Sequence, residues 1–87
     1  MRKAILPKEL VVNTNVSNSA KILYAYVYCE TLDKGARELY TSRQRLAEVM
    51  DVSKRTISKY MRELENSDYL TEEVTALGQL VLEIKDQ

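Results

Sequence analysis

Residues 41–70 read TSRQRLAEVMDVSKRTISKYMRELENSDYL and contain two short helical patterns separated by a tight turn. In the second pattern the apolar residues lie at i, i+3, i+4 and i+7, which is one stripe of a helix; they are Ile57, Tyr60, Met61 and Leu64. Ser53 precedes the stripe and is a good N-cap, because its hydroxyl can accept a backbone N–H of the first turn. Val52 and Ile57 can form a hydrophobic staple. We therefore predict a helix that begins after Ser53 and ends near Asn66.

The outer face of this predicted helix is basic. At about 100° per residue, Arg55, Lys59 and Arg62 lie opposite the apolar stripe and about one turn apart. Acidic residues appear only from Glu63 onward, so the N-terminal half combines positive charge with free backbone N–H groups. This combination suits a phosphate-lined groove. The alternative interpretation of the three cations is an ordinary solvated helix face.

The first pattern of the stretch is a shorter helix. Thr41 and Gln44 have the spacing of a capping box, which predicts Thr41 as the N-cap. The helix then turns its apolar side chains inward and stops near Asp51, where residues 51–53 make a tight turn into the basic helix. The residues assigned to the core of this pair are Leu46, Ala47, Val49, Met50, Ile57, Tyr60 and Leu64.

A longer helix is predicted upstream, from about Asn18 to Asp33, with Ser17 as its cap and Gly35 left-handed after its end. One apolar stripe faces the core and contains Ala20, Leu23, Tyr24, Val27 and Tyr28. A second stripe contains Ile22, Tyr26 and Cys29. A helix that is apolar nearly all round is either buried or shared with a partner. Two explanations therefore stay open for the second stripe: a homodimer surface, or coverage by residues 1–16.

The remaining segments are short. Residues 1–16 are expected to form an N-terminal extension with a helical turn at 7–10, and residues 37–40 a small strand. Residues 69–85 alternate well enough to predict a β-hairpin. Its two adjacent acids, Glu72 and Glu73, point to opposite faces of the strand and are expected to be solvated. With this charge the hairpin is poorly suited to gripping phosphate.

The net charge of the 87 residues is zero, but its distribution is uneven. Residues 1–40 carry +2, residues 41–62 carry +4 and residues 63–87 carry −6. An anion-binding surface is therefore expected in the middle segment, which contains both short helices. The length and the apolar fraction of 45% predict one small domain, residues 1–87, with a compact core.

Composition also excludes several function classes. With no histidine and one cysteine, the chain cannot by itself build a zinc site or a histidine-based catalytic triad. Neither a catalytic dyad nor a phosphate-binding glycine loop is evident, so we expect no enzyme, no cofactor and no small-molecule ligand. The single cysteine fits a reducing compartment, and no apolar run has the length of a membrane span. The expectation is a cytoplasmic protein without a membrane partner.

The order helix, strand, helix, tight turn, basic helix and hairpin is the layout of a winged helix-turn-helix domain. Such a domain is α+β and mainly α, with a three-helix core and a C-terminal β-hairpin wing. The segments LAEVM, DVS, KRTISKYMREL and YL resemble this family, and they place the helix-turn-helix at residues 41–67. The segments LPKEL and SNSAKILYAYVY, residues 6–10 and 17–28, resemble the N-terminal domains of plasmid and phage replication initiators.

This resemblance implies binding of double-stranded DNA, with the second short helix in the major groove and often a dimer on repeated sites. Arg55 and Lys59 are the best candidates for reading base edges. The start of the preceding helix is expected to meet the phosphate backbone, although Arg43 and Arg45 can instead pair with Glu48. The full predicted DNA-binding set is Ser42, Arg43, Arg45, Ser53, Lys54, Arg55, Thr56, Ser58, Lys59 and Arg62.

The biological role predicted by the resemblance is replication initiation or transcription regulation in a mobile element, either a plasmid or a phage. A second hypothesis belongs to a different class. Some winged-helix domains serve as protein–protein interaction modules without strong DNA binding, and both the zero net charge and the acidic hairpin agree with that use.

Overall fold

In a computed structural model the described residues are 8–33, 35 and 38–85. Within them the chain is mainly helical, with a three-stranded antiparallel sheet of order β1-β3-β2. The predicted α+β winged-helix class is confirmed. The elements in chain order are α1 (Lys8–Val11), α2 (Asn18–Asp33), β1 (Glu38–Thr41), α3 (Arg43–Met50), α4 (Lys54–Asn66), β2 (Leu70–Val74) and β3 (Leu80–Ile84).

Helix α2 has the predicted bounds and the predicted cap. The Ser17 hydroxyl accepts the backbone N–H of Ala20 at 3.2 Å, and Gly35 after the helix has a φ of +63°. The predicted inner stripe is buried at Ala20, Leu23, Tyr24 and Val27, and Tyr28 packs against it. Thr31, near the end of the stripe, is a buried polar residue. Its hydroxyl is satisfied because it donates to the Tyr28 carbonyl at 2.8 Å.

A carboxylate on α4 binds the start of α2. The backbone N–H of Ser17 donates to Glu63 Oε1 at 2.7 Å, and the Ser17 hydroxyl lies 3.3 Å from Oε2. A negative charge is also favourable at this end of α2, where the backbone N–H groups have no helical partner. Glu63 therefore fixes how α4 is placed against α2, across 46 positions of sequence.

Replacing Glu63 with alanine is expected to lower the free energy of unfolding by about 1–3 kcal/mol, because a half-buried N–H and hydroxyl lose a charged acceptor. Chemical denaturation followed by circular dichroism measures this loss. Glu65→Ala is the matched control, since Glu65 is an exposed acid on the same helix; it should change stability by less than about 0.5 kcal/mol. Equal losses in the two variants would show that the contact with Ser17 contributes nothing.

The sheet places β3 between the two outer strands. The predicted hairpin is present as β2 and β3, in which Leu70 lies opposite Ile84. Strand β1 also pairs with β3, with Leu39 opposite Leu82, and the sequence pattern did not predict that pairing. Leu39, Leu80 and Leu82 are buried on the inner face. The outer face carries exposed acids, which are Glu38, Glu73 and Glu83.

The core lies between the inner face of this sheet and helices α2, α3 and α4, and Leu10 and Val16 from the N-terminal extension complete it. The predicted assignments of Leu46, Ile57 and Leu64 are confirmed, each with 0% exposure. Tyr60 is half-buried and packs against the core. The assignment of Val49 to the core is wrong, because its side chain is 41% exposed. In a helix as short as α3, Leu46, Ala47 and Met50 already define the inward stripe, and Val49 lies beside it.

The predicted cap of α3 is wrong by one residue. Thr41 is the last residue of β1 and pairs with Leu80, so its backbone belongs to the sheet. Ser42 is the N-cap, and its hydroxyl accepts the backbone N–H of Arg45 at 3.1 Å. Gln44 is therefore one position too early for a capping box. The predicted turn into α4 is confirmed, and Asp51 supplies it with a left-handed φ of 56°.

Candidate nucleic-acid interface

Helix α4 is held at a fixed rotation about its own axis. Its predicted cap is confirmed, since the Ser53 hydroxyl accepts the backbone N–H of Thr56 at 3.1 Å and lies 2.9 Å from the Thr56 hydroxyl. On the inward side Ile57, Met61 and Leu64 are at most 1% exposed. The residues on the opposite side of α4 must therefore face away from the core.

That outward side is an exposed cationic surface, which we call the basic face. It consists of Arg55, Lys59 and Arg62, which lie opposite the apolar stripe, together with Lys54 in the first turn of the helix, and all four are exposed. Within residues 8–33, 35 and 38–85, no carboxylate forms an ion pair with any of the four. The basic face can therefore offer its full charge to an external anion. Thr56 is half-buried at its edge and already bonded to the Ser53 hydroxyl.

Arg43 joins α3, α4 and the hairpin. Its Nε donates to the Ser58 hydroxyl oxygen at 3.0 Å, and its Nη2 pairs with the Glu72 carboxylate on β2. The Arg43 side chain is 35% exposed and that of Glu72 is 18% exposed. Arg43 is thus paired with Glu72 and not with Glu48, and the expectation that Glu72 is solvated is wrong. Glu73, on the outer face, is exposed as predicted.

The sequence did contain a signal for the position of Arg43. Leu46, Ala47 and Met50 follow it at i+3, i+4 and i+7, so Arg43 heads the inward stripe of α3. A cation on that stripe must find a buried or half-buried carboxylate, and Glu72 is the inner-facing acid of the adjacent strand. Whether Arg43 also contacts a phosphate remains a prediction.

Ser42 and Arg45 lie at another place, on the rim of a cleft of about 530 Å³ between α2, β1 and the hairpin turn. Tyr26 also lines this cleft, and its hydroxyl donates to Glu30 Oε1 at 2.9 Å. Burial and the bond to Glu30 raise the pKa of Tyr26 above its ordinary value. The phenol therefore stays a neutral donor. Arg45 is exposed at this rim, so a cation remains near the start of α3.

The second stripe of α2 is divided in the structure. Ile22 is 60% exposed, whereas Tyr26 and Cys29 are half-buried. The described part of the N-terminal extension directs Leu10 and Val16 into the core and leaves Ile22 uncovered. Residues 1–7 lie outside the described residues. Of the predicted dimer surface, Ile22 is the residue that offers apolar area to a partner.

No protein-family model and no curated protein matches the chain by sequence. Solved structures with the same fold do exist. One is the structure of a Rep–DNA complex, with a TM-score of 0.74, 22% identity, and coverage of 98% of this chain and 75% of that chain. The fold implied by the resemblance to the N-terminal domains of replication initiators is therefore confirmed.

Two further structures agree with it. An N-terminal domain of a DNA-binding protein has a TM-score of 0.73 and 21% identity over 98% of this chain and 75% of its own. The structure of an MDR initiator has a TM-score of 0.71 and 26% identity over 99% of this chain and 78% of its own. At these levels of identity the likeness concerns the fold, and the role of each side chain has to be argued from this structure.

No helix among the described residues is long and apolar enough to cross a membrane. Within the same part of the chain, no group of three or more histidine, cysteine, aspartate or glutamate side chains is arranged to hold a metal ion.

Proposed function

We propose that this chain binds double-stranded DNA sequence-specifically and acts in the replication initiation of a plasmid or phage. The observation that carries the proposal is the basic face. It holds four exposed cations, three of them directly opposite the apolar stripe that is packed into the core. A helix of this width fits the major groove, and its cations can reach both base edges and phosphates. The shared fold with a Rep–DNA complex supports the same conclusion.

The side chains divide by position. Arg55 and Lys59 lie at the centre of the basic face and are proposed to read base edges, where arginine can bind guanine O6 and N7 together. The groups at the edges of the basic face are proposed to bind DNA beside those bases; they are Lys54, Arg62 and the hydroxyls near the cap of α4. Ser42 and Arg45, at the start of α3, are proposed to contact phosphates, which fix position without reading sequence. A domain bound in this way can also repress transcription by occupying its site.

Selection of bound sequences from a random duplex pool tests the proposal directly. We expect one preferred sequence to be selected. The affinity of the chain for that sequence should then fall with salt, with a log–log slope of about −0.9 per neutralised phosphate. A pool that yields no preferred sequence would overturn sequence-specific binding. Affinity that is absent for every duplex, or independent of salt, would overturn DNA binding altogether.

A protein-interaction role is the second candidate, and one observation favours it. The outer face of the sheet carries the exposed acids Glu38, Glu73 and Glu83, with Glu38 directly opposite Glu83. Like charges in that position repel, and a basic partner surface would relieve the repulsion. This candidate predicts that the chain binds a protein at the outer face while its affinity for DNA stays negligible.

We further propose that the chain binds DNA as a homodimer that uses the exposed part of the second stripe of α2. Ile22→Glu is expected to reduce the mass measured by light scattering from that of a dimer to that of a monomer, because it places a charge in an apolar contact. Val74→Glu is the matched control, since Val74 is 58% exposed and lies on the hairpin. A dimer that survives Ile22→Glu with the fold intact would refute this surface.

A further inference from the structure

The bond between Arg43 and Ser58 has a defined direction. A guanidinium group has donors and no acceptor, so the Ser58 oxygen must be the acceptor in the 3.0 Å contact with Arg43 Nε. A serine hydroxyl has one hydrogen and two lone pairs. The Arg43 contact therefore occupies one lone pair and leaves the hydrogen free to point elsewhere. In the described part of the chain, that hydrogen is donated to no protein acceptor.

Glu72 holds the guanidinium where this bond forms. Its carboxylate pairs with Arg43 Nη2 from the inner face of β2, and it is only 18% exposed. A charged donor polarises the hydroxyl that it binds, and hydrogen bonds in a chain strengthen one another. The chain Glu72–Arg43–Ser58 therefore makes the Ser58 hydroxyl a better donor and a poorer acceptor.

Ser58 is also in the right place to use that hydrogen. It is half-exposed on α4, between Arg55 and Arg62 of the basic face, which lie one turn before and one turn after it. Acceptors in the major groove are guanine O6 and N7, adenine N7 and thymine O4, whereas the amino groups of adenine and cytosine are donors. A hydroxyl whose direction is fixed as a donor discriminates between these two sets.

We propose that Ser58 donates a hydrogen bond to an acceptor atom on a base edge, and that Glu72 acts through Arg43 as the positioning residue that fixes this direction. The inference rests on the proposed function, because it needs α4 to lie in the major groove. It assigns to the acidic hairpin a role in specificity that requires no contact between the hairpin and DNA. Glu72 is then a determinant of sequence preference located on the wing.

Glu72→Gln, Ser58→Ala and their double variant test the proposal, with Glu73→Gln as the matched control. Glu73 is the neighbouring acid of β2, but it is exposed on the opposite face. The measurement is the affinity for the site selected by the wild-type protein and for a scrambled duplex of equal length. The ratio of the two affinities is the specificity.

Glu72→Gln is expected to bind the scrambled duplex more tightly, since one negative charge is lost, while its specificity falls roughly three- to tenfold, the value of one hydrogen bond. Ser58→Ala should lose a similar factor. The double variant should lose no more than Ser58→Ala alone, because both changes remove the same interaction. Glu73→Gln should bind both duplexes slightly more tightly and keep the wild-type specificity.

Three outcomes would overturn the proposal. Glu72→Gln with unchanged specificity would show that its charge alone matters. Additive losses in the double variant would show that Glu72 does not act through Ser58. If Ser58→Ala lowers the affinity for both duplexes by the same factor, the Ser58 hydroxyl donates to a phosphate and not to a base.

A folding defect is recognised separately. Thermal unfolding of each variant shows whether the domain is intact, and Arg43→Lys provides a second route if Glu72→Gln unfolds. Lysine keeps the charge but has no planar fork to hold the carboxylate and the hydroxyl together, so specificity should fall here too; an unchanged specificity in an intact Arg43→Lys variant would count against the proposal. A wild-type protein with no preferred sequence at all would instead refute the proposed function itself.

Discussion

Replacing Leu64 with alanine is expected to lower the free energy of unfolding by about 2–5 kcal/mol, because the change leaves a cavity in a core that cannot fully collapse. Leu64 is fully buried, and it lies on the inward stripe that sets the rotation of α4. In a domain of this size each kcal/mol lowers the melting temperature by roughly 4–8 °C. Thermal unfolding followed by circular dichroism at the helical band measures the change.

Val49→Ala is the control for that prediction, since Val49 is an apolar residue of the neighbouring helix with 41% of its side chain exposed. Its removal should cost less than about 1 kcal/mol. A loss of stability as large as that of Leu64→Ala would show that Val49 contributes to the core, as the sequence pattern predicted. A small loss for Leu64→Ala would mean that the rotation of α4 is not maintained by this stripe.

The parts of the fold that the sequence predicted correctly depend on local signals. The cap and the apolar stripe of α4 lie within four turns of the same segment, beginning at Ser53, and those of α2 likewise begin at Ser17. The turn at Asp51 is short enough that the two helical patterns constrain it from both sides. The basic face follows from the same wheel, because burying one stripe of a helix determines which residues point outward.

Two of the errors, the cap of α3 and the partner of Arg43, arose where distant segments meet. Thr41 looks like a cap on its own, but pairing with Leu80 extends β1 through it and moves the cap to Ser42. Residues 41 and 80 are far apart in sequence, and periodicity within one segment carries no information about such pairing. The Arg43–Glu72 pair is of the same kind, since it spans 29 positions.

These long-range contacts change how the acidic C-terminal third should be interpreted. Counted along the sequence, residues 63–87 carry a charge of −6, which is opposite in sign to the +4 of residues 41–62. In the structure Glu63 is bound to the start of α2, Glu72 is paired with Arg43, and Asp68 pairs with Lys85 at 3.0 Å. Much of the negative charge is therefore used within the domain. Among the described residues no carboxylate pairs with the cations of the basic face, and the net charge of zero does not reveal this.

Removing three cations of the basic face together, in the variant Arg55→Ala, Lys59→Ala, Arg62→Ala, is expected to weaken binding to the selected DNA site at least about a hundredfold. Each contact to a base edge or a phosphate is worth roughly 1–3 kcal/mol, so even partial additivity gives this loss. The fold should be unaffected, because all three side chains are exposed and alanine favours a helix. Affinity is measured by fluorescence anisotropy with a labelled duplex, and stability by thermal unfolding.

The single variants then separate the kinds of contact. Arg55→Ala should relax the sequence preference. Loss of a phosphate contact should instead lower the affinity for all duplexes alike and reduce the log–log slope of affinity against salt by about one. Lys8→Ala is the control for the loss of one exposed cation elsewhere, on α1, and should leave the affinity close to that of the wild type. A triple variant that folds and retains its affinity would show that α4 does not enter the groove. In that case the chain would share the fold without using α4 to bind DNA. The second candidate function, protein binding at the acidic outer face of the sheet, would then be favoured.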